Sequence, residues 1–138
     1  MEKRVTGIGG IFFKCSDTEK VKDWYNKHLG IPTTQWGAMF EWRDKDDKEK
    51  MCTTTWSPFS STTKHFSPSE KPFMFNYRVA NLDALLKALK TEGVEQVGEM
   101  QTFEYGKFAW IMDCDGNKIE LWEPIDEPII EEDKKNKN

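Results

Sequence analysis

Apolar and polar positions alternate, then recur at helical spacing, then alternate again, and this order runs through the chain twice. From Val5 to Lys14, Ile8 and Phe12 alternate against Ile11 and Phe13, which predicts a strand. Glycines at 7, 9 and 10 weaken such a strand unless something must approach its backbone closely. Ser16 followed by Glu19 reads as a capping box for a helix whose apolar face is Val21, Trp24, Tyr25 and Leu29. Gly30 stops that helix and Pro32 prevents its continuation. Strands follow near Ala38–Arg43 and Met51–Trp56, joined by a charged hairpin loop at 44–50. Residues 57–72, rich in Ser, Thr and Pro and without periodicity, read as a linker.

The second pass begins with a strand at Phe73–Val79. Asn81 or Asp83 opens a helix with Leu82, Leu85, Leu86 and Leu89 on one face, and Gly93 closes it. Strands near Val94–Val97, Phe103–Tyr105, Lys107–Met112 and Lys118–Trp122 complete the pass. Asp115-Gly116-Asn117 supplies a tight turn between the last two. Helices each followed by several closely connected strands indicate an α+β fold with mainly antiparallel sheets and the helices packed outside. The expected organisation is a single domain over 1–126, with module one at about 5–56, the linker at 57–72 and module two at about 73–124. The segment 127–138 is expected to be a disordered tail, because it has no apolar residue after position 130.

Composition changes this picture modestly. At 138 residues the chain is long enough for one core. Nine Phe and six Trp make that core, or a pocket in it, rich in rings. The net charge of −4 is spread along the chain without a basic stripe, which argues against nucleic acid as a partner. No apolar run suits a membrane span and no signal pattern opens the chain, so a membrane partner is not expected and the cytoplasm is the expected location. Cys15, Cys52 and Cys114 lack metal-ligand spacing and read as reduced thiols. Cys114, between Asp113 and Asp115, is poorly placed to act as a nucleophile.

The candidate chemistry centres on the final strand. Ile119 and Leu121 point to one face, and Lys118, Glu120 and Trp122 to the other. A mid-strand carboxylate is costly to bury without a partner, so Glu120 is either solvated or functional in a cavity. His28, in the last turn of the first helix, suits the helix dipole. His65, in Lys64-His-Phe66, reads as an exposed loop residue or a lid over the cleft.

The duplicated order, the Asp17…Trp24-Tyr25…Leu29-Gly30 segment, the Asn76-Tyr77-Arg78-Val79…Leu82-Asp83 segment and the run Asp113-Cys-Asp-Gly-Asn-Lys-Ile-Glu120-Leu together resemble the vicinal-oxygen-chelate superfamily. That superfamily includes glyoxalase I, extradiol dioxygenases and bleomycin-resistance proteins. The resemblance implies two βαβββ modules related by a pseudo-twofold, with a curved sheet around a cleft. It also implies a divalent metal held by His, Gln or Glu from both modules, the last ligand being a Glu at position 120. The other ligand positions fall at Gly10, near Met74, and near Thr55 or Trp56, none of them a donor for a hard divalent ion.

The expected site is therefore a ring-rich pocket. Phe12, Met74, Asn76, Arg78, Trp110 and Trp122 are candidate ligand-binding residues, and Glu120 is a candidate catalytic base. If the cleft is instead filled, Phe12, Met74 and Trp122 are core and Arg78 neutralises Glu120. The leading expectation is a small-molecule-binding protein without a complete metal site or any required cofactor, a divalent metal being possible, that takes an aromatic or apolar ligand. The alternatives are a metal-dependent or Glu-based lyase or isomerase, and a non-catalytic interaction module. The resemblance also implies a homodimer.

Overall fold

The computed structural model describes residues 3–137. Seven strands form one open mixed sheet: β1 (Val5–Cys15), β2 (Ala38–Arg43), β3 (Met51–Ser60), β4 (Phe73–Val79), β5 (Gln101–Phe103), β6 (Gly106–Met112) and β7 (Lys118–Pro124). Their spatial order is β2-β3-β1-β4-β7-β6-β5. β1 runs parallel to β3, β4 runs parallel to β7, and the two modules join through the antiparallel pair β1–β4. Among the described residues no helix is long and apolar enough to cross a membrane.

The duplication is present but unequal. Module two is β4-α2-β5-β6-β7, whereas module one, β1-α1-β2-β3, has three strands and not the four expected of a βαβββ unit. The position equivalent to β5 is occupied by a single Thr34–Gly37 bridge. The strand expected near Val94–Val97 is likewise reduced to one bridge, Gln96–Ile111.

α1 (Thr18–Leu29) is capped by Asp17 and not by Ser16. The Asp17 backbone is extended and its carboxylate accepts from the Lys20 N–H, while Glu19 pairs with Lys22. Gly30 ends the helix at φ 69°, a conformation that glycine adopts without strain. In α2 (Leu82–Thr91), Asn81 is the cap and accepts from the Ala84 N–H.

The period-2 pattern divides the sheet into two faces. Trp56 meets Phe13 and Tyr25 of α1 on one face, and on that same face Val79, Ala109 and Leu121 pack with Leu82 and Leu85 of α2. The opposite face carries Phe12, Thr55, Asn76, Glu120 and Trp122, and it bears the cleft.

Two segments depart from expectation, and both lie over that cleft face. β3 continues to Ser60, and the rest of the supposed linker is a strap of turns pinned by the fully buried Phe66, which packs on Phe12 and Met74. The expected disordered tail is instead a helix, α3 (Glu127–Lys137). Its start is fixed by Asp126, whose carbonyl accepts from the Ile129 and Ile130 N–H groups and whose carboxylate is buried against Arg78. Ile129 and Ile130 are half-buried, and this small apolar contact orders a segment that is otherwise highly charged.

Candidate functional site

Four positions on adjacent strands stand in one row across the cleft face. Thr55 of β3 pairs with Gly10 of β1, Gly10 with Asn76 of β4, and Asn76 with Glu120 of β7. A bulge between Ile8 and Gly10 inserts Gly9, which faces the cleft while Ile8 is exposed on the far side. The bulge corrects the simple alternation of Ile8, Gly10 and Phe12. The Ile8 carbonyl accepts from the Thr54 hydroxyl at 2.6 Å, which holds the bulge in place. A Cβ at Gly9 would stand 2.1 Å from Asn76 Oδ1 and 3.0 Å from the Trp122 ring, so only glycine fits there.

Glu120 lies at the centre of the row. Its Oε1 accepts from Asn76 Nδ2 at 2.6 Å and its Oε2 accepts from Trp110 Nε1 at 2.9 Å. His65 Nε2, from the strap, lies 3.4 Å from Oε2. The His65 ring stacks on Phe59 and meets Trp110 edge-on. His65 is exposed, as its loop reading has it, and the strap also brings it over the cleft, next to Glu120. The only sequence signal for this was its neighbour Phe66, an aromatic anchor in an otherwise polar stretch. His28 is exposed on α1 beside Trp24, away from the cleft.

Lys118, two residues before Glu120 on the same face, donates to the His65 carbonyl at 2.7 Å and sits over the Trp110 ring. Burial holds its ammonium below the ordinary lysine value, and the Glu120 charge offsets this in part.

The cleft has two lobes that meet at Glu120, Phe12, Tyr105 and Phe108. Lobe one, about 560 Å³, lies under the strap and is lined by Phe59, His65, Phe103, Trp110 and Lys118 among others. Lobe two, about 460 Å³, lies under α3 and is bounded by Gly9, Trp36, Thr55, Asn76 and Trp122. Both volumes fall in the usual range for organic-ligand sites.

Of the residues expected to bind ligand, Phe12, Asn76, Trp110 and Trp122 line these lobes. Met74 does not: it is fully buried with Phe12 and Phe66, because its β4 position lies beneath the strap. The position in register with Glu120 is Asn76 and not Met74. Arg78 neither lines the cleft nor neutralises Glu120. It is 1% exposed, sandwiched between the Trp42 and Trp122 rings, and bound by two 2.7 Å hydrogen bonds to Asp126. Asp126 was invisible as its partner because it lies 48 residues away, at the supposed end of the domain.

The final turn is built as its sequence requires. Asp113 accepts from the Asp115 and Asn117 N–H groups and from Asn117 Nδ2, and Gly116 has φ 77°. These bonds, the Asn117 side chain foremost, hold the Asp113 carboxyl below its ordinary value.

The model for the Glyoxalase/Bleomycin resistance protein/Dioxygenase superfamily matches residues 7–121, which include the whole row and the final turn. The chain belongs to this superfamily. Among solved structures, methylmalonyl-CoA epimerase from Mycobacterium tuberculosis is similar at 20% identity, covering 91% of this chain and 93% of that one, with a TM-score of 0.58. A variant of the Streptomyces coelicolor methylmalonyl-CoA epimerase in complex with 2-nitronate-propionyl-CoA is similar at 17% identity, covering 87% and 98%, with a TM-score of 0.65. The structure of NAD-dependent benzaldehyde dehydrogenase from Legionella pneumophila is similar at 10% identity, covering 84% of this chain and 98% of that one, with a TM-score of 0.54. At these identities the likeness is one of fold. No curated protein matches the sequence.

Members of the superfamily typically use a divalent metal, and the row stands where its ligands would come from. Its side chains are a hydroxyl, none, an amide and one carboxylate, and both carboxylate oxygens already accept from N–H donors. No group of three or more His, Cys, Asp or Glu able to hold a metal ion occurs among the described residues. The donor set does not fit a hard divalent ion.

Proposed function

We propose that this chain is a small-molecule-binding member of the superfamily, taking an aromatic organic ligand in the two-lobed cleft with Glu120 as its polar anchor. The observation that carries this reading is the setting of Glu120. It is a buried carboxylate at the junction of two ring-lined lobes, held by the neutral donors Asn76 and Trp110 and not by a structural cation. A carboxylate has room for about four hydrogen bonds, so acceptor capacity remains for a ligand N–H or O–H. The rings supply apolar area and flat faces for stacking.

The epimerases similar in fold include one in complex with methylmalonyl-CoA. The anionic phosphates of such a ligand call for cationic side chains, and Lys118 alone of the lysines and arginines lines the lobes among the described residues. The lobes themselves thus offer little to pair with phosphates, which favours a ligand of another class.

A second reading is favoured by the 3.4 Å approach of His65 to Glu120. In it, the pair works as an acid–base couple in lobe one, Glu120 or His65 accepting a proton from a bound substrate. Two measurements separate the readings. Native mass spectrometry of the purified protein should reveal a co-purified organic molecule, and a ligand that raises the melting temperature should lose that effect in Glu120→Gln. Absence of any stabilising ligand across a broad panel contradicts the binding reading. Turnover of a panel compound that disappears in both Glu120→Gln and His65→Gln establishes the catalytic one.

A further inference from the structure

We propose that lobe two is a receptor for an organic cation, a flat ring system carrying a positive charge; this rests on the reading of the cleft as a small-molecule site and specifies its ligand. Lobe two is lined by four acidic side chains, Glu104, Glu120, Glu132 and Asp133, and by no lysine, arginine or histidine among the described residues. The nearest buried cation, Arg78, is committed to Asp126 behind the Trp122 ring. Lys118 lies on the lobe-one side, with its ammonium directed at the His65 carbonyl.

The second observation is an acceptor without a donor. Asn76, 2% exposed, gives its Nδ2 to Glu120, while its Oδ1 is buried beside Gly9 with no hydrogen-bond partner. An unpartnered buried acceptor carries a free-energy cost, and a bound group with N–H character removes it. Asn76 and Glu120 together therefore present acceptors to this wall of the lobe. A ligand bringing acceptors or negative charge would meet like groups, whereas one bringing donors or positive charge would complete them.

The rings give the shape. Phe108 lines the lobe and stacks on Trp122 with an interplanar angle of 12°, Trp122 itself being closed between Phe108 and Arg78, and Trp36 stands exposed at the edge of the lobe. The electron-rich face of an exposed ring attracts a cation, Trp most strongly, and Trp36 is the exposed Trp of this lobe. α3 supplies the opposite side through Ile129, Glu132 and Asn136, so charge and apolar surface both approach the ligand from the helix. A cavity of about 460 Å³ admits a bicyclic ring.

The test uses three probes of one shape and different charge: N-methylquinolinium, neutral 1-methylnaphthalene and anionic 1-naphthoate, titrated into the full-length protein and followed by Trp fluorescence. The cation should bind at least about tenfold more tightly than the neutral probe, and the anion most weakly. In Glu120→Gln the preference for the cation over the neutral probe should fall to within about twofold. Should that variant fail to fold, the double variant Glu104→Gln/Glu132→Gln, altered at exposed positions, should lose about threefold in cation affinity and leave neutral binding unchanged. Equal affinity for cation and neutral probe, or preference for naphthoate, overturns the cation receptor and leaves the small-molecule site standing. Failure of all three probes to bind overturns the cation receptor, while the small-molecule site falls only if the broad ligand panel also gives no stabilisation.

Discussion

Two buried carboxylates lie on the same face of the sheet, and the protein treats them differently. The Asp126 and Glu120 side chains are almost equally shielded, 8% and 7% exposed. Asp126 receives two 2.7 Å bonds from the Arg78 guanidinium and two more from the Thr53 N–H and hydroxyl. Glu120 receives two bonds from neutral donors and a 3.4 Å approach from a histidine. Burying an ion costs several kcal/mol unless partners compensate it fully. Asp126 is compensated in full and works as a fastener that ties α3 to the sheet. Glu120 is compensated in part and faces a cavity, as expected of a group whose complement arrives from outside.

The comparison is broken most severely at the fastener. Asp126→Ala leaves Arg78 buried and unpaired and should cost about 3–5 kcal/mol in urea unfolding. The double replacement Arg78→Met/Asp126→Leu should recover much of that loss, because it removes both charges together. A single variant as stable as the parent would show that the pair holds nothing. Gly9→Ala comes next. Its methyl must displace Asn76 Oδ1 and press on Trp122, for an expected cost of about 1–3 kcal/mol together with weaker ligand binding.

Glu120→Gln sharpens the contrast. Its stability should lie within about 1 kcal/mol of the parent. A glutamine can keep one of the two donors, and the Asn76 amide can turn its free oxygen toward the new NH₂ group. A loss as large as that of Asp126→Ala would make Glu120 a second fastener and not a site residue.

The smallest effect concerns pH. Lys118 is held below the ordinary lysine value of 10.5 by burial. Between its folded value and 10.5 the unfolded chain binds a proton that the folded chain does not, so stability should rise with pH across that window. The slope should flatten in Lys118→Met, and an unchanged slope would assign the rise to other groups.

What was legible in the sequence follows from how local each interaction is. The strands, α1, α2 and the Asp113–Asn117 turn rest on period, caps and positive-φ glycine, all within a few residues, and they were readable. Register was not. The bulge at Gly9 turns on a contact with Thr54, and the pairing of Asn76 with Glu120 joins two strands whose residues lie 44 positions apart. The strap and α3 were missed for a related reason. Phe66 anchors one, and Asp126 with two half-buried isoleucines anchors the other, against polar sequences that periodicity reads as loop or tail. Both cover the cleft, so the pieces that shape the site are those whose order comes from distant contacts. Glu120 itself was legible from alternation and from the superfamily motif, but its neutral donors were not.

The central claim is that Glu120 serves a ligand in a cleft without a complete metal site. Elemental analysis of the protein as purified, repeated after incubation with Zn, Mn, Ni and Co and removal of free ions, tests it most directly. The account predicts no stoichiometric divalent metal in either sample. One tightly held ion per chain, lost in Glu120→Gln, would contradict it.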